Sequence, residues 1–299
     1  MSGSGFRAAE CRPYGTVNDA YVGAAFCRPS SVGAGTPNYE SKGLKYFRGI
    51  VHGLFTILCR FVIYLLIGSV AGTEDVSPLR DRRYTRMKRL FLSSYFSGVA
   101  KLFPDFAGGC SGKKVVFIPT ASIHEKVTFF VGADLKALGK LGLAVDELEV
   151  STASHDDIAR KLSKADYIFV EGGNTFFLLQ ELRRTAADKL IVEHINNGKL
   201  YIGASAGSVI ASGDIEYLKY KDDPAAAPEL NGDFSALSVV DFSIVPHCAN
   251  FPFKKSAEKI IAEYSGKLDL RPISNNQAIV VDGDKIEQIA VESKKKKSQ

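Results

Sequence analysis

Short apolar runs alternate with longer amphipathic stretches from residue 87 onward. Several of the runs are β-branched and apolar throughout, which is typical of strands buried on both faces of a sheet. Segments 126–142 and 174–198 have helical periodicity, and the second closes on Gly198, as a helix C-cap does. The predicted strands are 89–92, 114–118, 144–150, 167–170, 200–203 and 242–245.

The last apolar segment, 277–291, alternates on both sides of Asp282-Gly283 and predicts a β-hairpin. Strands and helices that alternate over about 200 residues predict an α/β fold. We expect a mainly parallel sheet with helices on both faces and a C-terminal β-hairpin. In such sheets, functional sites form at the carboxyl ends of the strands.

The first 86 residues have a different composition and predict an N-terminal extension ahead of a catalytic domain at 87–299. Their beginning is rich in Gly, Ser, Pro and Ala and is expected to be largely disordered. Segment 51–72 is apolar and long enough to span a membrane, but Arg60 lies in its middle. The alternatives are membrane association through residues 48–72, as a span or an interfacial helix, and upstream sequence that is not translated because Met87 is the start.

Charge and cysteine content exclude several classes of protein. Residues 1–86 carry 11 basic and 6 acidic side chains, which accounts for the whole net charge of +5. Residues 87–299 therefore have no net charge to attract nucleic acid, and no nucleic-acid partner is expected. The five cysteines form no CxxC pair, which argues against a disulfide framework and a zinc ribbon. We expect a cytoplasmic catalytic domain with no metal and no cofactor. Cys248 lies beside His247, but neighbours on a strand face opposite ways, which disfavours a cysteine nucleophile.

The strongest chemical motif is Gly203-x-Ser205-x-Gly207, between a predicted strand and a helix. In a nucleophile elbow, a serine at this turn is held out of the sheet, and the amides at the start of the helix face an oxyanion. Ser205 is therefore a candidate nucleophile, with the amide of Ala206 behind it. The alternative interpretation is a tight strand-to-helix turn without chemistry.

Two further motifs follow strands. In "FVEGGNT", an amide of Gly172 or Gly173 could complete an oxyanion hole, although the segment also fits a glycine loop whose Asn174 caps a helix. His247, just past a strand, is the histidine best placed to act as the base. An acid should orient the imidazole. The stretch between Ser205 and His247 offers four: Asp214, Glu216, Asp222 and Asp223.

The segments "EGGNTFFLLQEL", "YIGASAGSVIA" and "IVPHCANF", in this order, resemble the peptidase E family of serine peptidases (family S51), which includes aspartyl dipeptidases and, more distantly, cyanophycinases. "RLFLSSYFSGVAKLFPDF" and "VVFIPTAS" resemble the opening of that family, and "NNQAIVVDGDKI" resembles its closing hairpin. The resemblance covers residues 87–291 and implies a class I glutamine amidotransferase-like fold.

The resemblance also implies roles for individual residues. Ser205 would be the nucleophile and His247 the base, with the amides of Gly173 and Ala206 as the oxyanion hole and Asn174 at the substrate. The acid of the family is an Asp shortly after the nucleophile. Because the loop is longer here, the corresponding position lies in "KDDP", and we expect Asp223 or, second, Asp222 to complete the triad.

The function implied is that of a serine exopeptidase hydrolysing short peptides through a Ser-His-Asp triad and an acyl-enzyme. Dipeptides with an N-terminal Asp are the expected substrates, and Arg271 or a Lys in 219–221 is the candidate cation that would bind this Asp. The alternatives are a cyanophycinase-like or other acyl hydrolase on the same fold, and a catalytically inactive ligand-binding homologue. Monomer and homodimer both stay open.

Overall fold

The computed structural model describes residues 88–292. The predicted extension 1–86 and its apolar segment 51–72 lie outside this range. Seven strands form one sheet: β1 (Arg89–Ser93), β2 (Lys114–Ile118), β3 (Ala144–Glu147), β4 (Tyr167–Val170), β5 (Leu200–Ala204), β8 (Gln277–Asp282) and β9 (Lys285–Ala290). Their order in the sheet is β3-β2-β4-β5-β1-β8-β9; β1 to β5 are parallel, and β8 and β9 form an antiparallel hairpin at the edge. The predicted α/β fold, with its C-terminal hairpin, is confirmed.

Buried side chains of the central strands alternate between two apolar cores, one on each face of the sheet. In β1, Leu90 and Leu92 belong to one core and Phe91 to the other. This alternation follows from the strand period of two, and burial on both faces explains why the strands are apolar throughout. Helices α1 (Phe96–Val99), α2 (Phe103–Ala107) and α3 (Phe129–Lys140) line the Phe91 face; α4 (His155–Ser163), α5 (Thr175–Arg184) and α6 (Ala187–Asn196) line the other.

Segment 174–198, which the periodicity predicts as one helix, is two. The break lies at Thr185 and Ala186: the Thr185 hydroxyl donates to the carbonyl of Glu181, and Ala186 adopts a left-handed conformation with φ 58°. Alanine strongly favours helices, so its sequence context gives no sign of this break. The helix pair nevertheless ends where predicted, because Gly198 has the positive φ of a C-cap, 74°.

Two predicted strands differ from the structure in more than a terminal residue. The third is shorter than predicted, because after Glu147 the chain turns away: the amide of Val150 donates to the Thr120 hydroxyl and that of Ser151 to the Glu149 carboxylate. The predicted strand 242–245 is outside the main sheet. It forms β6 (Ser243–Val245), which pairs in parallel with β7 (Leu270–Pro272) as a separate two-stranded sheet.

The chain between β5 and β6 begins with a short helix, α7 (Ala206–Val209), and continues through short 3₁₀ turns. Helix α8 (Lys254–Tyr264) connects β6 with β7. Within residues 88–292, no helix is long and apolar enough to cross a membrane. The carboxyl ends of β1, β4 and β5 lie side by side, and this edge of the sheet holds the candidate site.

Candidate active site

Ser205 lies in the sharp turn between β5 and α7. Its backbone has φ 47° and ψ −107°, a sparsely populated conformation for a serine that costs about 1–3 kcal/mol. The neighbouring glycines are required by packing: a Cβ on Gly203 would lie 2.6 Å from the carbonyl oxygen of Gly207, and one on Gly207 would lie 2.0 Å from that of Val170. The strain and the close packing are those of a nucleophile elbow, and they hold the Ser205 hydroxyl at the end of the sheet.

His247 follows β6 and faces Ser205. Its backbone is left-handed, with φ 58°, and its amide donates to the Ser94 hydroxyl over 3.0 Å. This conformation turns the imidazole toward the sheet, where Nε2 lies 2.9 Å from Ser205 Oγ. The Phe253 ring packs against the imidazole, with the two ring centres 4.9 Å apart. The structure therefore brings together the two residues that the sequence singled out, at hydrogen-bonding distance.

The third position is occupied by Asn275, whose Oδ1 lies 2.7 Å from His247 Nδ1. Asn275 precedes β8, which runs antiparallel to β1 and places Ala278 opposite Ser93. The start of β8 therefore lies at the carboxyl ends of β1 and β5, beside Ser205. Because the Asn275 oxygen accepts the Nδ1 proton, it leaves Nε2 free to accept the serine proton.

The acids predicted for this position are bound elsewhere, which corrects the sequence-based choice. Asp222 Oδ2 accepts from the amide and the hydroxyl of Thr175, at 3.0 and 2.5 Å, and Oδ1 forms an ion pair with Lys221 at 2.8 Å. Asp223 begins a 3₁₀ turn and accepts from the amide of Ala225. Neither carboxylate hydrogen-bonds His247. A carboxylate at the first amide of a helix is stabilised by the helix dipole, and α5 holds Asp222 in this way.

The segment 171–174, which we call the EGGN loop, passes beside Ser205. Gly173 has φ 140°, and a Cβ there would lie 2.0 Å from the carbonyl oxygen of Ala121, so only glycine fits. The amide of Gly172 donates to the Glu171 carboxyl over 2.7 Å. The amides of Gly173 and Ala206 donate to no group among residues 88–292. Of the two glycines that the sequence left open, Gly173 is therefore the one with a free donor.

Asn174, predicted at the substrate, acts as a structural cap. Its Oδ1 accepts from the amide of Phe177 over 3.0 Å and so satisfies the first turn of α5, while its Nδ2 donates to the carbonyl of Asp223. Both ends of the side chain are thus bound to protein groups. Asn174 fixes the far end of the EGGN loop to helix α5 and to the segment after Ser205.

Burial governs the ionisation of His247. Desolvation and then the positive charge of Lys221 lower the pKa of His247 to about 4, against smaller opposite effects from Asn275 and Asp222. The imidazole is therefore neutral at pH 7 and able to accept a proton. Among residues 88–292, no group of three His, Cys, Asp or Glu side chains is placed to hold a metal ion.

The candidate cations for an acidic substrate have different surroundings. Arg271 pairs with Asp269 and lies over the ring of Phe242, and Lys219 pairs with Glu216. Lys221 is buried in its pair with Asp222, and its Nζ lies 5.0 Å from the centre of the Phe253 ring that packs on His247. Of the three, Lys221 is the one whose charge acts on the imidazole.

Proteins of similar sequence and fold are named as peptidases. A model of peptidase family S51 matches residues 90–289. The chain belongs to peptidase family S51. An uncharacterized peptidase of Listeria innocua is 54% identical over 200 residues, which cover 67% of this chain and 95% of that relative. A crystal structure of a candidate peptidase E from Listeria monocytogenes superposes with a TM-score of 0.66 at 50% identity, covering 69% of this chain and 100% of that one.

Relatives of lower identity are named peptidase E. A peptidase E from a Shewanella strain is 33% identical over 141 residues, 47% of this chain and 56% of the relative. The family and the fold are therefore supported by relatives that match along almost their whole length. These relatives do not identify the substrate, because they are uncharacterized peptidases.

Three contacts of His247 are not predicted from the sequence. Asn275 lies in the segment that resembles the closing hairpin of the family, Ser94 lies beyond the predicted strand 89–92, and Phe253 lies beyond the motif "IVPHCANF". The predicted hairpin is the one sequence feature that points to Asn275, since a hairpin that joins the sheet beside β1 must start at the same edge as the elbow. The pairing of the hairpin strand β8 with β1, however, is a long-range contact that no local pattern predicts.

The pH dependence of peptide hydrolysis should reflect His247. We expect kcat/KM to be constant from about pH 5 to 8 and to fall as the pH drops through about 4, because the base must be neutral to take the Ser205 proton. Asn275→Asp places a carboxylate at Nδ1, stabilises the imidazolium and moves this acidic limb upward by about 1 to 3 pH units. Asn276→Asp is the control, since its side chain bonds Ser274 and the Val291 carbonyl instead. Equal profiles for both variants would contradict the assignment.

Proposed function

We propose that this S51 protein is a serine exopeptidase that hydrolyses short peptides through an acyl-enzyme. The observation that carries the proposal is the hydrogen-bonded chain Ser205 Oγ–His247 Nε2 and His247 Nδ1–Asn275 Oδ1, at 2.9 and 2.7 Å. In place of the expected Ser-His-Asp triad, we propose Ser-His-Asn. A neutral amide fixes the tautomer and the ring orientation of the histidine, but it adds no charge to stabilise the imidazolium.

The steps follow from the positions of the side chains. Ser205 Oγ attacks the scissile carbonyl carbon and gives its proton to His247 Nε2. The negative oxygen of the tetrahedral intermediate is held by the amides of Gly173 and Ala206, which donate to no other group among the described residues. His247 then protonates the leaving amine, the C–N bond breaks, and water hydrolyses the ester on Ser205 by the reverse proton path.

We propose dipeptides with an N-terminal Asp as the substrate class. The support is electrostatic: Lys221 Nζ lies 5.0 Å from the centre of the Phe253 ring that packs on His247, and at the imidazole the charge of Lys221 outweighs that of its partner Asp222. A positive charge near His247 would attract an acidic side chain beside the scissile bond. Arg271 and Lys219 give no comparable support, because their partners are acids away from His247.

A panel of X-Leu dipeptides tests the substrate class. We expect kcat/KM for Asp-Leu to exceed that for the isosteric Asn-Leu by at least ~10-fold, which corresponds to about 1.4 kcal/mol of charge recognition. High salt should narrow the ratio, as expected for an electrostatic preference. Equal rates for both dipeptides would refute the Asp preference, and hydrolysis of simple esters without any dipeptide would favour another acyl hydrolase on this fold.

A further inference from the structure

Two buried carboxyl groups meet behind the EGGN loop. Glu171 continues the alternation of β4 and points to the face where Phe169 packs, and Asp134 reaches the same place from α3. Their exposed fractions are 1% and 0%. A Cβ on Gly172, the residue after Glu171, would lie 3.1 Å from the Cβ of Ser205. Glu171 is therefore the chain neighbour of a glycine that packs against the candidate nucleophile.

Each carboxyl group accepts from one backbone amide and leaves its second oxygen without a hydrogen-bond partner among residues 88–292. Glu171 Oε1 accepts from the amide of Gly172 over 2.7 Å, and Asp134 Oδ1 accepts from the amide of Ser97 over 2.8 Å. The remaining oxygens, Glu171 Oε2 and Asp134 Oδ2, have no N–H or hydroxyl donor among residues 88–292. No hydrogen bond can join the two carboxyls while both are ionised, because neither then carries a donor, yet the charge of Asp134 acts on Glu171.

Two facing carboxylate oxygens repel each other unless a proton lies between them. Burial, and then the charge of Asp134, raise the pKa of Glu171 well above its usual range, and burial also raises that of Asp134. The other groups that act on the pair belong to Phe96, Ser97 and Gly172, and no basic side chain is among them. Two buried carboxyls with one unpartnered oxygen each and no basic side chain beside them could be satisfied by a single proton between those oxygens.

We propose that Glu171 and Asp134 share one proton and that this pair is a positioning device for the oxyanion hole. Glu171 holds the Gly172 amide away from the site and fixes the Gly172–Gly173 peptide, so that the amide of Gly173 faces the oxygen developing beside Ser205. The role in catalysis rests on the proposed function. The shared proton does not, and it is tested separately.

Substitution by amides tests the shared proton. In Glu171→Gln, Oε1 still accepts from the amide of Gly172, and Nε2 replaces the protonated oxygen. We therefore expect the thermal stability of the wild type, and rates of labelling and hydrolysis within about 3-fold of the wild-type rates. In Asp134→Asn, Nδ2 donates to an ionised Glu171, again with one donor between the groups. The double variant sets two NH₂ groups against each other, so it should unfold at a clearly lower temperature than either single variant. A double variant as stable as the two single variants would overturn the shared proton.

Infrared spectroscopy provides a readout independent of activity. At neutral pH the wild-type protein should show the band of a protonated carboxyl group, and Glu171→Gln should remove this band. The control is Asp105→Asn, which replaces an exposed acid on α2 and should leave the band unchanged. No such band at neutral pH, or a band unaffected by Glu171→Gln, would overturn the shared proton.

The positioning role is measured by the rate at which a fluorophosphonate labels Ser205, because this reaction uses the oxyanion hole but needs no peptide. Glu171→Leu removes the acceptor of the Gly172 amide, and we expect labelling and kcat to fall at least ~10-fold with KM changed less than about 3-fold, approaching the loss of a whole oxyanion donor. Glu171→Gln should restore both. If Glu171→Leu were labelled at the wild-type rate, Glu171 would not position the oxyanion hole. The same conclusion would follow if a folded Glu171→Gln variant were not labelled. A wild-type protein that labels normally but hydrolyses no dipeptide would refute only the proposed substrate.

Discussion

We expect Ser205→Ala to lower kcat for dipeptide hydrolysis by a factor of about 10⁴ to 10⁶, with a much smaller change in KM. The substitution keeps the Cβ and the packing of the elbow but removes the oxygen that lies 2.9 Å from His247 Nε2. Without it, no covalent intermediate can form. Steady-state kinetics with the best dipeptide of the panel measure the loss.

A second substitution distinguishes a joint mechanism from two separate contributions. His247→Ala should cost nearly as much as Ser205→Ala, and the double variant no more than either, because residues that act as one unit are not additive. Ser265→Ala, at an exposed position after α8, is the matched control and should behave as wild type. Losses that multiply in the double variant would contradict the shared proton path between Ser205 and His247.

The largest expected effect on stability comes from Gly207→Ala. The new Cβ would lie 2.0 Å from the carbonyl oxygen of Val170, and that oxygen cannot yield easily, because Val170 pairs with Ile118 on one side and Gly203 on the other. We expect a loss of about 3 kcal/mol or more in the free energy of unfolding. For a domain of this size, the midpoint of thermal unfolding falls by about 6 to 12 °C, measured by circular dichroism.

The control for this substitution is Gly132→Ala in helix α3. A Cβ on Gly132 meets nothing within 4 Å. Alanine is favoured over glycine in helices by about 1 kcal/mol, so this variant should unfold slightly above the wild type. If Gly207→Ala unfolded at the wild-type temperature as well, the elbow would not be packed against β4 as described.

The local elements were predictable because local chemistry determines them. The apolar runs of β2 and β4 gave the strands to the residue, and the Asp282-Gly283 turn gave the hairpin. The break at Ala186 was not predictable, since it depends on a left-handed alanine inside a helix-favouring sequence. The separate β6–β7 sheet was equally hidden, because β7 has three residues and its partner precedes it by 25 or more positions.

For the site, the sequence identified the residues that carry a local motif. Ser205 is marked by its glycines, and His247 by its place after a strand. The third member has no local mark: any nearby acid fits the pattern, and only the antiparallel entry of β8 brings Asn275 to His247 Nδ1. Asp222 was a reasonable choice by position, but the first turn of α5 and Lys221 occupy both of its oxygens.

The central claim is that Ser205 is a nucleophile activated by His247. Its most direct test is mass spectrometry of the native protein after reaction with a fluorophosphonate, followed by peptide mapping. The account predicts one adduct per chain, on Ser205, formed at neutral pH and absent in Ser205→Ala. Stoichiometric labelling of another residue, or a native protein that cleaves peptides while Ser205 stays unmodified, would contradict it.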